Sequence, residues 1–275
     1  MTRRQDLEHH RHGLREIREI MNSMKTLAYL ELRKLARFRD AQYAVVKSIE
    51  DTAADFLSFH PEAMPQVAET TAVYLLIGTE RGFCGDFNQS LVRHLASTLA
   101  MHLIAVGRKL HTLLENDARV AARIAGAGIV EEVTVVLNQL VQALSDLQQH
   151  GVLSVYGLYH GGTGGIVVQK LVPSFQQYLH QPPTFSHPPQ LNLSPTAFLL
   201  ELTGQYLFAA LHEMLYTSLM AENHQRVTHL EGAVRHLDEK SEQLARQCNA
   251  LRQEEIIEEI EVILLSASSL DEDRS

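Results

Sequence analysis

Between Gln205 and Leu265 the chain has no proline and a single glycine, Gly232. Nothing obliges those residues to leave the α-helix, and at ~1.5 Å rise per residue a helix of that span is ~90 Å long. A compact chain of 275 residues has a radius of gyration near ~19 Å, hence a diameter of about 50 Å. Such a helix outruns any globule this chain can form, so another long element must cover its apolar stripe.

The stripe is visible in the middle of the run. Leu230, Val234, Leu237, Leu244, Cys248 and Leu251 follow 4-3 spacing with Ser241 in the one polar slot, as in a coiled coil. After Leu251 the apolar positions shift by one residue, and Ile256, Ile260 and Ile263 are expected to carry the stripe on. At the other end of the chain Leu14, Ile17, Met21, Met24, Ala28, Leu35 and Phe38 step by threes and fours, with Glu31 interrupting and no proline before Pro61. Residues 1–50 carry 11 Lys/Arg against 7 Asp/Glu, and residues 201–275 carry 6 against 15. Opposite charge favours pairing the two arms with each other over self-association of either. The competing reading is two separate amphipathic helices packed on a core, and the length of the C-terminal run weighs against it.

A hydrophobic content of 45% allows a real core and one or two domains. The absence of tryptophan and an aromatic content of 6% suit long helices better than an all-β fold. A net charge of −9 argues against a nucleic-acid partner, which demands a basic stripe to neutralise phosphates. Cys84 and Cys248 lie too far apart in sequence for a metal motif or a disulfide framework, which points to a reducing compartment. No run of 18 apolar residues is present, so no direct membrane insertion is expected. The opening Met1-Thr-Arg-Arg-Gln-Asp-Leu-Glu lacks an apolar region and reads as neither a secretory signal nor a transit peptide.

Taken in order, residues 1–60 read as the first arm, closed by His60-Pro61. Residues 61–200 read as an α/β, Rossmann-like domain. Val73–Ile77, Leu103–Val106, Val152–Tyr159 and Val167–Leu171 are expected as strands, with helices from about Gln89 to Ala100, after Gly107-Arg108-Lys109, and over 137–149. The sheet is expected to be largely parallel with a hairpin at its edge. Six prolines between Pro173 and Pro195 make 173–195 a connection, and residues 201–275 form the second arm. The fold expected is thus an α/β domain inserted between two long terminal helices that form an antiparallel coiled coil.

Candidate chemistry is sparse. The loop Thr79-Glu-Arg-Gly-Phe-Cys-Gly-Asp-Phe-Asn88 is the most enzyme-like feature, because glycine-rich turns after strands can present backbone N–H groups to phosphate. It lacks the G-x-x-x-x-G-K-[ST] signature, and a tight strand-to-helix turn explains Gly82-x-x-Gly85 equally well. Gly107-Arg108-Lys109 reads as an anion contact or simply a solvated turn. His212-Glu213 begins an H-E-x-x-H pattern that Tyr216 breaks, and His9, His10 and His12 have no supporting acid or cysteine spacing for a metal. Cys84 as a nucleophile would need an oriented base that no pattern identifies. No catalytic constellation, cofactor or metal site is expected.

Three segments, with Val106-Gly-Arg-Lys109 as a weaker fourth, coincide in order with one family. Ile20-Met-Asn-Ser-Met-Lys-Thr-Leu-Ala-Tyr-Leu-Glu-Leu-Arg-Lys34 is similar to its "I-T-x-A-M-x-M-V-A-A-x-K-L-R-x" stretch, and Ile77–Asn88 to its "S-T-D-R-G-L-C-G-x-L-N" loop. Asn249-Ala-Leu-Arg-Gln-Glu-Glu-Ile-Ile-Glu-Glu-Ile260 is similar to "N-x-x-R-Q-x-x-I-T-x-E-I". The chain resembles the γ subunit, or central stalk, of F-type rotary ATP synthases. Ile257 and Glu258 depart from the common form, as do Arg15–Ile20 and Thr228–Lys240, which associates the chain with an alternative, sodium-type bacterial branch. The coupling ion, proton or sodium, stays open.

The resemblance implies a non-catalytic rotor shaft that couples ion flow to ATP synthesis or hydrolysis. It implies as partners the α and β subunits of a catalytic hexamer, the small ε stalk subunit and the membrane c-ring. It also implies a peripheral location on the cytoplasmic side of a bacterial inner membrane. Matched position by position, Met24, Lys25, Arg252, Gln253 and Glu259 would meet the hexamer, while Thr79, Arg81, Gly82, Cys84, Gly85 and Asn88 make up the family's motif loop. Two other classes stand beside this one: a coiled-coil scaffold with a small-ligand-binding α/β head, and an anion- or nucleotide-binding enzyme centred on Thr79–Asn88.

Overall fold

The structure is a computed structural model describing residues 3–65, 71–95, 102–149, 151, 153–162, 165–179, 181–183 and 185–272; of Arg3 and residues 265–272 only the backbone is described. In chain order it contains α1 (Arg3–Phe59), β1 (Thr71–Ile77), α2 (Phe87–Leu95), β2 (His102–Val106), α3 (Arg108–Leu113), β3 (Val120–Ile124), α4 (Val133–Gln148), β4 (Leu153–His160), β5 (Ile166–Val172) and α5 (Pro195–Glu272). Two compact units emerge. One comprises Met1–Leu27 with Thr228–Ser275, the other Ala28–Val227.

The larger unit is built on a five-stranded sheet of order β3-β2-β1-β4-β5. Its first four strands in that order are parallel, and β5 closes the edge antiparallel to β4. Alternation along β1 serves two cores. Val73, Leu75 and Ile77 face the cluster that holds Val133, Leu137 and Leu140 of α4 and Leu211 and Met214 of α5. Leu76 faces the other, with Phe87 and Leu91 of α2 and Leu110 of α3. Gly157 on β4 is glycine because a Cβ there would run into the sulfur of Met214.

Several boundaries differ from expectation. β3 was not anticipated: Val120-Ala-Ala-Arg-Ile124 has too little β-branched character to stand out, and it forms because the edge of β2 offers it a parallel ladder. α2 begins at Phe87, ahead of the expected Gln89, with residues 96–100 of the expected range and residue 152 of the expected third strand lying outside the described residues. α5 starts at Pro195, not near Gln205. Ser194 caps it, accepting from Ala197 N at 3.4 Å through Oγ and from Phe198 N at 2.9 Å through its carbonyl, and proline suits the first helical turn. Gly204 therefore sits inside the helix, exposed, at a cost of ~1 kcal/mol against alanine. The burial of Leu199 and Tyr206 on either side offsets it.

In the larger unit the covered face of α1 runs Ala28, Leu35, Val46, Ala53, Phe56, with Leu32, Arg39, Gln42 and Ile49 half-covered in the same 4-3 rhythm. Phe38, expected on that face, is 50% exposed. Arg39 takes the covered side and lets its alkyl stem do the packing while its guanidinium meets Asp40 at 2.9 Å.

In the smaller unit Leu230, Val234, Leu244 and Cys248 are buried, and Leu237, Ser241 and Leu251 half-buried, as the spacing required. Each fully buried leucine contributes on the order of 1.5–3 kcal/mol relative to exposure. Arg18 donates to Asp238, and Arg4 Nε lies 3.1 Å from a Glu255 oxygen, so positions rise along α1 as their partners fall along α5. Two expectations are corrected here. Ile17 is exposed, with Arg18 on the covered side, and the stripe does not slip to Ile256, Ile260 and Ile263. It continues in step to Glu255, and those three isoleucines are 46%, 51% and 65% exposed.

Candidate functional site

The motif loop leaves the carboxyl end of β1 and is held from three directions. From α2, Asn88 accepts Thr79 N at 2.9 Å through Oδ1 and donates to Thr79 Oγ1 at 2.8 Å through Nδ2. From the loops beyond β2 and β3, Arg108 N and Gly126 N donate to the buried carboxylate of Glu80 at 3.1 and 2.7 Å, and the Arg108 side chain pairs with it. From α5, Glu222 accepts Glu80 N and Arg81 N, each at 3.3 Å. Arg226, one turn further on, pairs with Glu222 and donates to Gly82 O at 3.2 Å, Asn223 Oδ1 at 2.8 Å and Cys84 Sγ at 3.5 Å.

This wiring decides what the loop can do. A phosphate at this end of the sheet would need the N–H groups of the β1, β2 and β3 loops. Glu80, Arg81, Arg108 and Gly126 give theirs to side-chain carboxylates of the same chain. A groove of about 450 Å³ does open beside them, lined by Glu80, Arg81, Arg108, Lys109, Thr112 and Glu132, and its two carboxylates temper its three cations. Gly128 also borders it, and a Cβ there would stand 2.7 Å from the Arg81 guanidinium.

Cys84 is buried, and burial pushes its thiol up to about 12, a rise that the neighbouring Arg226 opposes. A thiol that stays protonated at neutral pH is no nucleophile. Burial likewise raises the Glu222 carboxyl above its ordinary range, against the pull of Arg226 and the two backbone amides. Ser90 Oγ lies 3.1 Å from His160 Nε2, a pairing reminiscent of a hydrolase, yet the same nitrogen lies 3.0 Å from Phe87 O. Facing a carbonyl, Nε2 carries the proton and has no lone pair to accept one from Ser90. His212, 5.4 Å from Tyr216 and stacked parallel to it, is half-buried. No group of three or more metal-ligating side chains occurs among the described residues.

The remaining residues singled out from sequence separate cleanly. Within the loop Thr79, Cys84 and Asn88 are buried, Gly82 is half-buried, and Arg81 and Gly85 are exposed, Gly85 with φ +58° in the left-handed region. Met24 and Lys25 are half-buried on α1, while Arg252, Gln253 and Glu259 are exposed on the last third of α5. Sequence reading passed over Glu80, Glu222 and Arg226. The last two had a signal: a Glu and an Arg four apart on one helix face are placed to pair, and both are buried.

Comparison with known proteins fits this geometry. The ATP synthase family matches residues 3–270, and the chain belongs to that family. The ATP synthase gamma chain of Desulfitobacterium hafniense is 25% identical, with 98% of this chain and all of that one aligned. That of Pelotomaculum thermopropionicum is 24% identical over 94% and 97%. Within the family the chain is a γ subunit, a non-catalytic component of the central stalk. Among solved structures, the Euglena gracilis mitochondrial ATP synthase in rotational state 3 contains a chain with TM-score 0.66 at 16% identity, covering 99% of this chain and 96% of that one. The central stalk and c-ring structure from Tetrahymena thermophila gives 0.56 at 18% identity, over 78% and 99%. At these identities the structural matches speak for the fold.

Proposed function

We propose that this chain is the rotor shaft of an F-type ATP synthase, coupling ion flow through a membrane ring to ATP synthesis or hydrolysis in a catalytic hexamer. The observation that carries the reading is the pairing of the chain's two ends. Arg18 with Asp238 and Arg4 with Glu255 run in opposite order along α1 and α5, beside a buried 4-3 stripe from Leu230 to Cys248. Such an order supports an antiparallel coiled coil made of two unlike helices.

A shaft of two unlike helices lacks three-fold symmetry, so each of three surrounding catalytic sites meets a different face of it. Differential contacts of that kind are what bias a site among open and closed states. The exposed Arg252, Gln253 and Glu259, with Met24 and Lys25, are the proposed contacts to the α and β subunits, and exposed Ile256, Ile260 and Ile263 give the same stretch an apolar surface to bury. The sheet-containing unit is the proposed foot, meeting the ε subunit and the c-ring. No helix among the described residues is long and apolar enough to cross a membrane, which accords with attachment to the membrane side through those partners. The proposed setting is the cytoplasmic face of a bacterial inner membrane.

The reading of an anion- or nucleotide-binding enzyme centred on Thr79–Asn88 loses support because the Thr79, Glu80 and Arg81 amides are bonded within the chain. The test is co-purification. Tagged chain expressed in its own cells is expected to bring down a nucleotide-hydrolysing hexamer in fixed ratio, and its recovery free of any such hexamer would refute the rotor reading.

A further inference from the structure

The loop Thr79–Asn88 binds no ligand in this reading, yet buried Thr79, Glu80, Asn88, Glu222 and Arg226 meet at it. We propose that it is a mechanical latch: Glu222 and Arg226 lock the rotational setting of α5 against the sheet, so that torque passes between foot and shaft without slip. The inference rests on the rotor reading and adds to it the place where the load is held.

The argument turns on direction. Most of what holds α5 in the larger unit is apolar, through Leu211, Met214, Leu215 and Leu219. Burial of apolar area resists separation but is non-directional, and a helix can roll on such a face at small cost. Hydrogen bonds to charged groups are directional and stronger than neutral ones. Glu222 takes two successive backbone amides of the loop, and Arg226 gives separate nitrogens to Gly82 O and Cys84 Sγ. Rolling α5 breaks the bonds to Glu80 N, Arg81 N and Gly82 O while the Glu222–Arg226 pair turns with the helix, so backbone groups of the loop lose their partners where water cannot easily replace them.

The loop is equally fixed on its other side. Glu80 ties it to Arg108 N and Gly126 N, and Thr79 ties it to Asn88, so force on α5 reaches the ends of three parallel strands. Position along the chain matters too. Arg226 stands one residue before Val227, the last residue of the larger unit, after which α5 continues into the other unit. The pair costs stability relative to an apolar equivalent of the same shape, a cost that makes sense when geometry rather than affinity is being held.

The test uses the whole complex in membrane vesicles, with Arg226→Lys and Glu222→Gln introduced separately and together. Arg226→Lys keeps charge and stem while losing the fork, and so should fold even where Glu222→Gln does not. ATP hydrolysis is expected within about twofold of wild type. The number of ions moved per ATP, measured against an opposing ion gradient, is expected to fall at least threefold, and the double variant to be no worse than the poorer single one, because the two residues act as a unit. A wild-type ratio in Arg226→Lys, measured under load, would overturn the latch while leaving the rotor reading intact. Wild-type complex whose hydrolysis drives no ion transport would instead overturn the rotor reading.

Discussion

Arg18 on α1 donates through Nη2 to Asp238 on α5 at 3.4 Å, across 220 positions of sequence. Hydrogen bonding to Asp238, and its charge, raise the already high pKa of the guanidinium. Arg18→Glu is expected to lower the melting temperature of the paired terminal segments, by more at low salt than at high, since the half-exposed pair is partly screened. Arg18→Glu with Asp238→Lys should recover most of the loss. Equal melting of wild type and single variant at low salt would remove the pair from the account of register.

Leu237 lies half-buried in the middle of the stripe, with Val234 and Leu244 buried to either side. Leu237→Pro deletes an amide and clashes with the preceding turn, at about 3 kcal/mol or more. Helical content by circular dichroism is expected to fall, and coupled ATP synthesis to be lost. Full coupling in that variant would contradict a continuous shaft.

Arg252 and Gln253 are exposed, so replacing both by alanine removes donors without disturbing the buried stripe. Assembly of the complex, judged by native gel, is expected to be unchanged while coupled synthesis falls. Synthesis at the wild-type rate in purified complex would show that neither residue touches the catalytic ring.

Burial, and after it the charge of Glu50, raise the pKa of Glu213 above the ordinary 4.5. The folded chain then holds this proton more tightly than the unfolded one. The associated stability is whole at pH below 4.5 and is lost as pH rises through the folded value. Glu213→Gln cannot ionise, so its stability should decline less over that range and should exceed wild type above it. Urea unfolding from pH 4 upward reads this directly, and parallel profiles for the two proteins would rule it out.

The thiol of Cys84, pushed from 9.0 to about 12, should react with alkylating reagents slowly in the folded protein. At pH 8 the shift alone lowers the thiolate fraction about a thousandfold. Arg226→Met removes the cation that opposes this rise and should slow labelling further. Mass-spectrometric labelling rates in native and unfolded chain provide the comparison, and equal rates would show the loop to be open.

How much was legible beforehand varies with the kind of interaction. The two long helices and four of the five strands follow from proline placement and apolar runs, which act locally. β3 does not, because the edge strand Val120-Ala-Ala-Arg-Ile124 has its middle three positions filled by Ala and Arg and is made by its neighbour. The motif loop was legible as a turn and illegible as a latch: its Glu80, and the Glu222 that meets it, are 142 positions apart, with nothing in either segment naming the other.

The terminal stripe divides the same way. Spacing from Leu230 to Leu251 determined which face of α5 is covered, since 4-3 periodicity brings those side chains to one side of any helix. Spacing alone then favoured the isoleucines beyond Leu251, as the more apolar set. Only the packed structure selects Glu255, because which of two adjacent stripes is covered depends on what stands opposite, and there it is Arg4. A sequence states the apolar character of a surface; its partner in three dimensions decides whether that surface is buried or left bare.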